Sequence, residues 1–164
     1  MRLGYVSMAG RGANDLLLAQ VAALAEGAGM ALAGCVQVNT DRAGSDDCDM
    51  DLRILGGGPL VRINQRLGAG SRGCKLDPGA LEMAVAEVGA RMGGAQALIV
   101  NKFGKHESLG RGFRPLVGEA LAQGIDVVLG VNRLNLKEFL SFAGEMAQEL
   151  DANPQAILAF LQSK

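Results

Sequence analysis

Four short apolar runs, at residues 3–8, 30–38, 95–100 and 125–131, recur along the chain with helix-patterned segments between them. This alternation constrains the fold more than any other feature. Predominantly apolar runs of this length suit strands covered on both faces. Strands that alternate with helices favour a mainly parallel sheet joined by right-handed crossovers. After the first run, Ala9 to Ala13 form a small-residue turn, and Asn14 or Asp15 can cap the helix that follows. That helix, over about residues 15–28, sets Leu17, Val21 and Leu24 near one face, with Leu16, Leu18 and Ala25 widening it, and Gly27 and Gly29 end it. Helices are also expected from Asp77-Pro78 to about Met92, over about 112–122, over 136–150 and over 154–161.

The rhythm breaks between residues 39 and 75. Runs at 50–55 and 60–65 flank Gly56-Gly57-Gly58-Pro59, the pattern of a β-hairpin. Alternation puts Met50, Leu52 and Ile54 on one face and Asp49, Asp51 and Arg53 on the other; Val61 and Ile63 similarly oppose Arg62 and Asn64. Residues 67–75 then form a loop rich in glycine and arginine. The expectation is one α/β domain over residues 1–164, with a hairpin and loop insertion at about 48–75.

The bulk properties narrow the function classes. At 164 residues the chain can remove roughly 70% of its unfolded surface from water, enough for a sizeable core. Sixteen basic and seventeen acidic residues leave a net charge of -1, which gives no support for nucleic-acid binding through clustered positive charge. One tyrosine and no tryptophan leave few platforms for stacking on single strands. No apolar segment reaches the roughly 18 residues of a membrane span, and the opening is too glycine-interrupted for a signal peptide. A cytoplasmic location without membrane insertion is the expectation. Cys35, Cys48 and Cys74 form no CxxC pair and no disulfide framework.

In a parallel sheet, ligands bind beyond the carboxyl ends of the strands. That places Gly10, Arg11, Gly12, Asn14, Asn101, Lys102, Lys105, His106 and Asn132 at one rim, with Arg72, Lys75 and Arg111 from neighbouring loops. Arginine and lysine converging on a helix start suit phosphate or another oxyanion. Asp49 and Asp51 are weak candidate ligands for a divalent ion, since two carboxylates supply few of the oxygens it needs; ion pairs with Arg62, Arg66, Arg72 or Lys75 are the favoured alternative. His106 beside Glu107 is the one candidate for proton transfer, and no catalytic triad is present.

The segment YVSMAGRGANDL resembles a degenerate P-loop, and the layout resembles the small P-loop nucleoside-triphosphatase group. The resemblance implies a P-loop-NTPase-like three-layer sandwich with a mainly parallel sheet and a hairpin insertion. The chain departs from that pattern where the chemistry lies. Ala13, Asn14 and Asp15 stand where a lysine and a hydroxyl hold phosphate and Mg²⁺, and Asn101-Lys102 replace an acidic pair. The segments CDMDLRIL, GAGSRGCKLDPGAL and VNKFGKHESLGRGFRPLVGEAL resemble an uncharacterised bacterial family often associated with molybdenum-transport genes. This resemblance implies molybdate handling, enzyme maturation or regulation, with Arg72, Lys75, Lys102, Lys105 and Arg111 as suitable oxyanion contacts. The expected role is a non-catalytic accessory or regulatory protein that binds molybdate, another oxyanion or a phosphorylated ligand such as a nucleotide. One alternative is a divergent nucleoside triphosphatase or phosphate-ester enzyme needing Mg²⁺. Another is an interaction module, with Ile157, Leu158, Phe160 and Leu161 meeting a second copy in a homodimer.

Overall fold

The computed structural model describes residues 1–41, 48–65 and 75–163. The apolar runs become β1 (Leu3–Val6), β2 (Leu32–Asp41), β7 (Ala97–Phe103) and β8 (Asp126–Val131), paired parallel in the order β2, β7, β8, β1. β3 (Cys48–Ile54) folds back antiparallel on β2, and β4 (Leu60–Arg62) pairs antiparallel with β3, so the hairpin extends the main sheet at one edge. A separate two-stranded pair, β5 (Asn64–Gln65) and β6 (Lys75–Leu76), lies beside it.

Alternation along the strands splits the core into two layers. Tyr5, Cys35, Leu98, Val100, Val127 and Leu129 face α2 (Pro78–Gly89), α4 (Arg114–Ala122) and α5 (Leu136–Ala143). Val6, Val36, Ile99 and Val128 face the other way, onto α1 (Ala13–Gly27) and α6 (Pro154–Gln162). Helices on both faces of the sheet make three layers. Ile157, Phe160 and Leu161 are buried against α1 and the sheet, so core packing accounts for the apolar face of α6. Cys35 is fully buried, and burial pushes its thiol up to about 12. In the middle of β2, Gly34 has φ 114°, and a Cβ there would stand 1.8 Å from the carbonyl oxygen of Ile99. Only glycine admits this approach of β2 to β7.

Three expectations need correction. β7 does not stop at Val100 but continues to Phe103 through a shift in register. Phe103 holds the extension by packing edge-on against Phe139 (5.3 Å between ring centroids) and stacking on Phe142 (5.9 Å). The helix expected over 136–150 ends at Ala143. Gly144, at φ 57°, turns the chain into β9 (Ala147–Glu149), which pairs parallel with β1 at the far edge of the sheet. The run at 60–65 is divided between β4 and β5, with Ile63 N–H donating to the Met50 carbonyl between them. Among the described residues, no helix is long and apolar enough to cross a membrane.

Candidate functional site

β1 ends in the turn that opens α1. Gly10 (φ 103°) and Gly12 (φ 77°) supply its left-handed backbone, and the side of Gly12 faces Asn39. Gly12 is the residue before α1, so no side chain caps the first turn. Its N–H groups therefore open outward at the positive end of the helix. Asp77 caps α2 by accepting from Gly79 N–H and Ala80 N–H, and Asn153 caps α6 in the same manner, whereas the starts of α4 and α5, like that of α1, have no side-chain cap.

A cleft of about 870 Å³ lies over this turn at the carboxyl ends of β1, β2, β7 and β8. Gly10, Arg11, Gly12, Asn14, Asn101, Lys102 and Asn132, all expected at the rim, line it. Arg133, Gln37, Asn39 and Asp15 complete the polar wall, and Met8, Ala9 and Met50 form its apolar margin. Arg11 and Arg133 have no acidic partner among the described residues. Most other described arginines are engaged: Arg2 with Asp126, Arg53 with Glu26, Arg62 with Asp49 and Asp51, and Arg91 with Glu87. Arg114 bonds the carbonyls of Glu107 and Ser108 and lies over the Phe142 ring.

The two polar residues that open α1 are tied down. Asn14 Oδ1 accepts from Met8 N–H (3.1 Å), and its Nδ2 donates to the Val131 carbonyl (3.3 Å). Asp15 accepts from Asn101 Nδ2 (2.9 Å) and Asn39 Nδ2 (3.1 Å). Asn101 is buried, and its Oδ1 accepts from Gln37 N–H (2.9 Å). That bond forms where β2 has passed its last paired residue with β7, so the amide fills the gap between diverging strands.

Other expected contacts lie elsewhere. Lys105 and His106 sit in α3 (Lys105–Ser108), Arg111 is exposed beyond it, and Lys75 is exposed in β6; none of the four lines the cleft. The loop after β7 is organised instead by Glu107, which is buried and accepts from Gly104 N–H (2.9 Å) and Phe113 N–H (3.0 Å). Arg72 lies outside the described residues. Asp49 and Asp51 close on Arg62 at 3.1 and 3.0 Å rather than on an open metal position. Among the described residues, no group of three or more metal-ligating side chains is assembled.

Sequence reasoning missed Gln37 and Arg133 and read Asp15 as a possible helix cap and as a charge in place of the groups that hold phosphate; the helix starts earlier, after Gly12, and Asp15 does not cap it. The placement of Gln37 and Asn39 inside a ten-residue strand, rather than after a shorter one, carries them to the rim.

The fold and the sequence both have known counterparts. THEP1 from the hyperthermophile Aquifex aeolicus superposes with a TM-score of 0.65, covering 99% of this chain and 100% of that one at 16% identity. The architecture is accordingly a P-loop-NTPase-like α/β three-layer sandwich with a mainly parallel central sheet. The chain is 33% identical over 147 residues to a molybdenum import ATP-binding protein, ModC 2, of Bradyrhizobium diazoefficiens. The match takes in 89% of this chain but spans only 16% of that relative's length. A family model matches residues 3–160, and the chain belongs to that family, described as protein of unknown function (DUF2478).

Proposed function

We propose that this protein is a non-catalytic accessory or regulatory protein that binds an oxyanion or a phosphorylated ligand in the cleft over α1. The observation that carries this reading is the pair of arginines, Arg11 and Arg133, without an acidic partner among the described residues, lining a cleft beside an uncapped helix start. Both features stabilise negative charge, and arginine does so with paired donors. Lys102 lines the same cleft and adds a third cation.

The non-catalytic part rests on Ala13, Asn14 and Asn101. Ala13 has no group to reach a phosphate, and the Asn14 amide is committed to Met8 and Val131. Asn101 brings a neutral amide where a metal-holding carboxylate is needed, which leaves metal-assisted phosphoryl transfer without its usual parts. A place in molybdenum metabolism is supported by the likeness to part of a longer protein named for molybdenum import. Regulation of such an ATP-binding import protein is consistent with a ligand-binding unit that lacks hydrolytic chemistry.

Calorimetry with molybdate, tungstate, sulfate, inorganic phosphate and nucleotides tests the binding. We expect at least one to bind, and Arg11→Ala or Arg133→Ala to weaken it about ten-fold or more. No binding across the panel would overturn the reading. Incubation with ATP or GTP and Mg²⁺ tests the second part; sustained phosphate release, lost in Lys102→Ala, would show an enzyme instead.

A further inference from the structure

The cleft has two chemically different ends, and the first turn of α1 divides between them. Asn14 turns toward β1 and β8, where Arg11 and Arg133 also enter from the loops. Asp15 turns toward β2 and β7 and joins a closed ring of side chains. Asn101 and Asn39 donate to its two oxygens, Gln37 Nε2 donates to Asn39 Oδ1 (2.7 Å), and Asn101 Nδ2 also reaches Gln37 Oε1 (3.5 Å). The ring orients every amide and leaves the carboxylate as its terminal acceptor. Each oxygen of Asp15 takes one amide N–H and keeps a further acceptor site.

Size and charge limit the occupant. A tetrahedral oxyanion, with a volume of a few waters at about 30 Å³ each, fills only a small part of an 870 Å³ cleft. A polyphosphate spanning the cleft would lie against Asp15, with Arg11, Lys102 and Arg133 as the lining cations. Asn14 and Asp15 are neighbours in one turn of α1, but their side chains part: Asn14 bonds the Val131 carbonyl of β8, whereas Asp15 bonds Asn101 of β7 and Asn39 of β2. That division suits one anionic group on the β1 and β8 side of the turn and a donor-bearing ring on the β2 and β7 side.

Resting on the anion-cleft reading above, we propose that the ligand is a singly phosphorylated molecule carrying a 2-amino-4-oxopyrimidine edge, as found in guanine and in pterins. The phosphate sits over the start of α1 with Arg11 and Arg133, and the ring presents its adjacent ring N–H and amino N–H to Asp15. Adenine places a bare ring nitrogen beside its amino group, and that lone pair opposes the carboxylate. Met50, at the same end of the cleft, offers a thioether to the face of a ring.

Calorimetry with GMP, IMP, AMP, 6-hydroxymethylpterin monophosphate and inorganic phosphate tests this. GMP or the pterin phosphate should bind at least ten-fold more tightly than AMP, with IMP between, and their order identifies the source of the edge. Asp15→Asn should remove that preference while tightening inorganic phosphate, because it deletes a repelling charge. Equal binding of GMP, AMP and the pterin phosphate would overturn the ring assignment and leave the anion cleft standing. A preference that survives Asp15→Asn would also overturn it. Failure of every phosphorylated compound and of the oxyanion panel would remove the cleft reading and this one together. Should Asp15→Asn fail to fold, the order of GMP, IMP and AMP on the unaltered protein decides.

Discussion

Replacing Asn101 by aspartate probes the polar ring at its most buried member. Asn101 is 2% exposed, and its Nδ2 lies 2.9 Å from Asp15 Oδ1. Asn101→Asp sets a second carboxylate against the first and deletes the donor between them. Two unit charges about 4 Å apart repel by about 4 kcal/mol at an effective dielectric constant of 20. Asp15 is half-buried, so solvent screening reduces this to about 2–3 kcal/mol of lost stability at neutral pH. The penalty has a defined pH dependence. Burial and repulsion raise the folded-state pKa of the introduced carboxylate above the unfolded value of about 3.9, so the folded state binds its proton more tightly. The loss is therefore absent below the unfolded pKa, grows as pH rises through the raised one, and is complete above it. Urea denaturation of parent and variant at pH 8 and near pH 4.5 measures this, with a smaller gap expected in acid. Millimolar Mg²⁺ should narrow the gap at pH 8 by bridging the paired carboxylates. Equal stability at pH 8, or a gap independent of pH, would refute the argument that Asn101 is neutral because Asp15 is charged.

Three further outcomes follow from single contacts. Gly34→Ala forces a Cβ against the Ile99 carbonyl at a positive φ, so it should cost at least about 4 kcal/mol or prevent folding, read by circular dichroism and denaturation. Glu107→Gln leaves one of two backbone N–H groups facing an amide N–H₂. It should cost about 1–3 kcal/mol and raise hydrogen exchange at Gly104 and Phe113. Cys35, with its thiol pushed up to about 12 by burial, should resist alkylation at pH 8 in the folded protein and react once denatured; rapid labelling of native Cys35 would contradict its packing.

The sequence carried the layering of this fold because burial on both faces writes itself as continuous apolar runs, from Leu3 to Val6 and from Ala97 to Val100. Asp77-Pro78 likewise announced α2 through its cap. β9 left no comparable mark, since its three residues are at most half-buried and pair along one edge only. At the site, Gly10, Arg11, Gly12, Asn101 and Lys102 were readable as residues following strands. What position alone could not separate was Lys102 from Lys105, because the longer β7 keeps one at the cleft and α3 carries the other away. Asn101 illustrates the same limit: a polar residue after an apolar run reads as loop, whereas here it is buried as a plug between strands. Asp49 and Asp51 carried two readings in the sequence, ligands for a divalent ion or ion pairs with the nearby basic residues, and Arg62, across the hairpin, meets both.

Amide chemical shifts followed during titration with a nucleoside monophosphate test the cleft most directly. Binding over the start of α1 predicts the largest shifts at Gly10, Gly12, Ala13 and Asn14, with smaller ones at Asn101 and Arg133. Shifts confined to residues 105–111, or none at saturating ligand, would contradict a phosphate-bearing ligand held by the glycine turn.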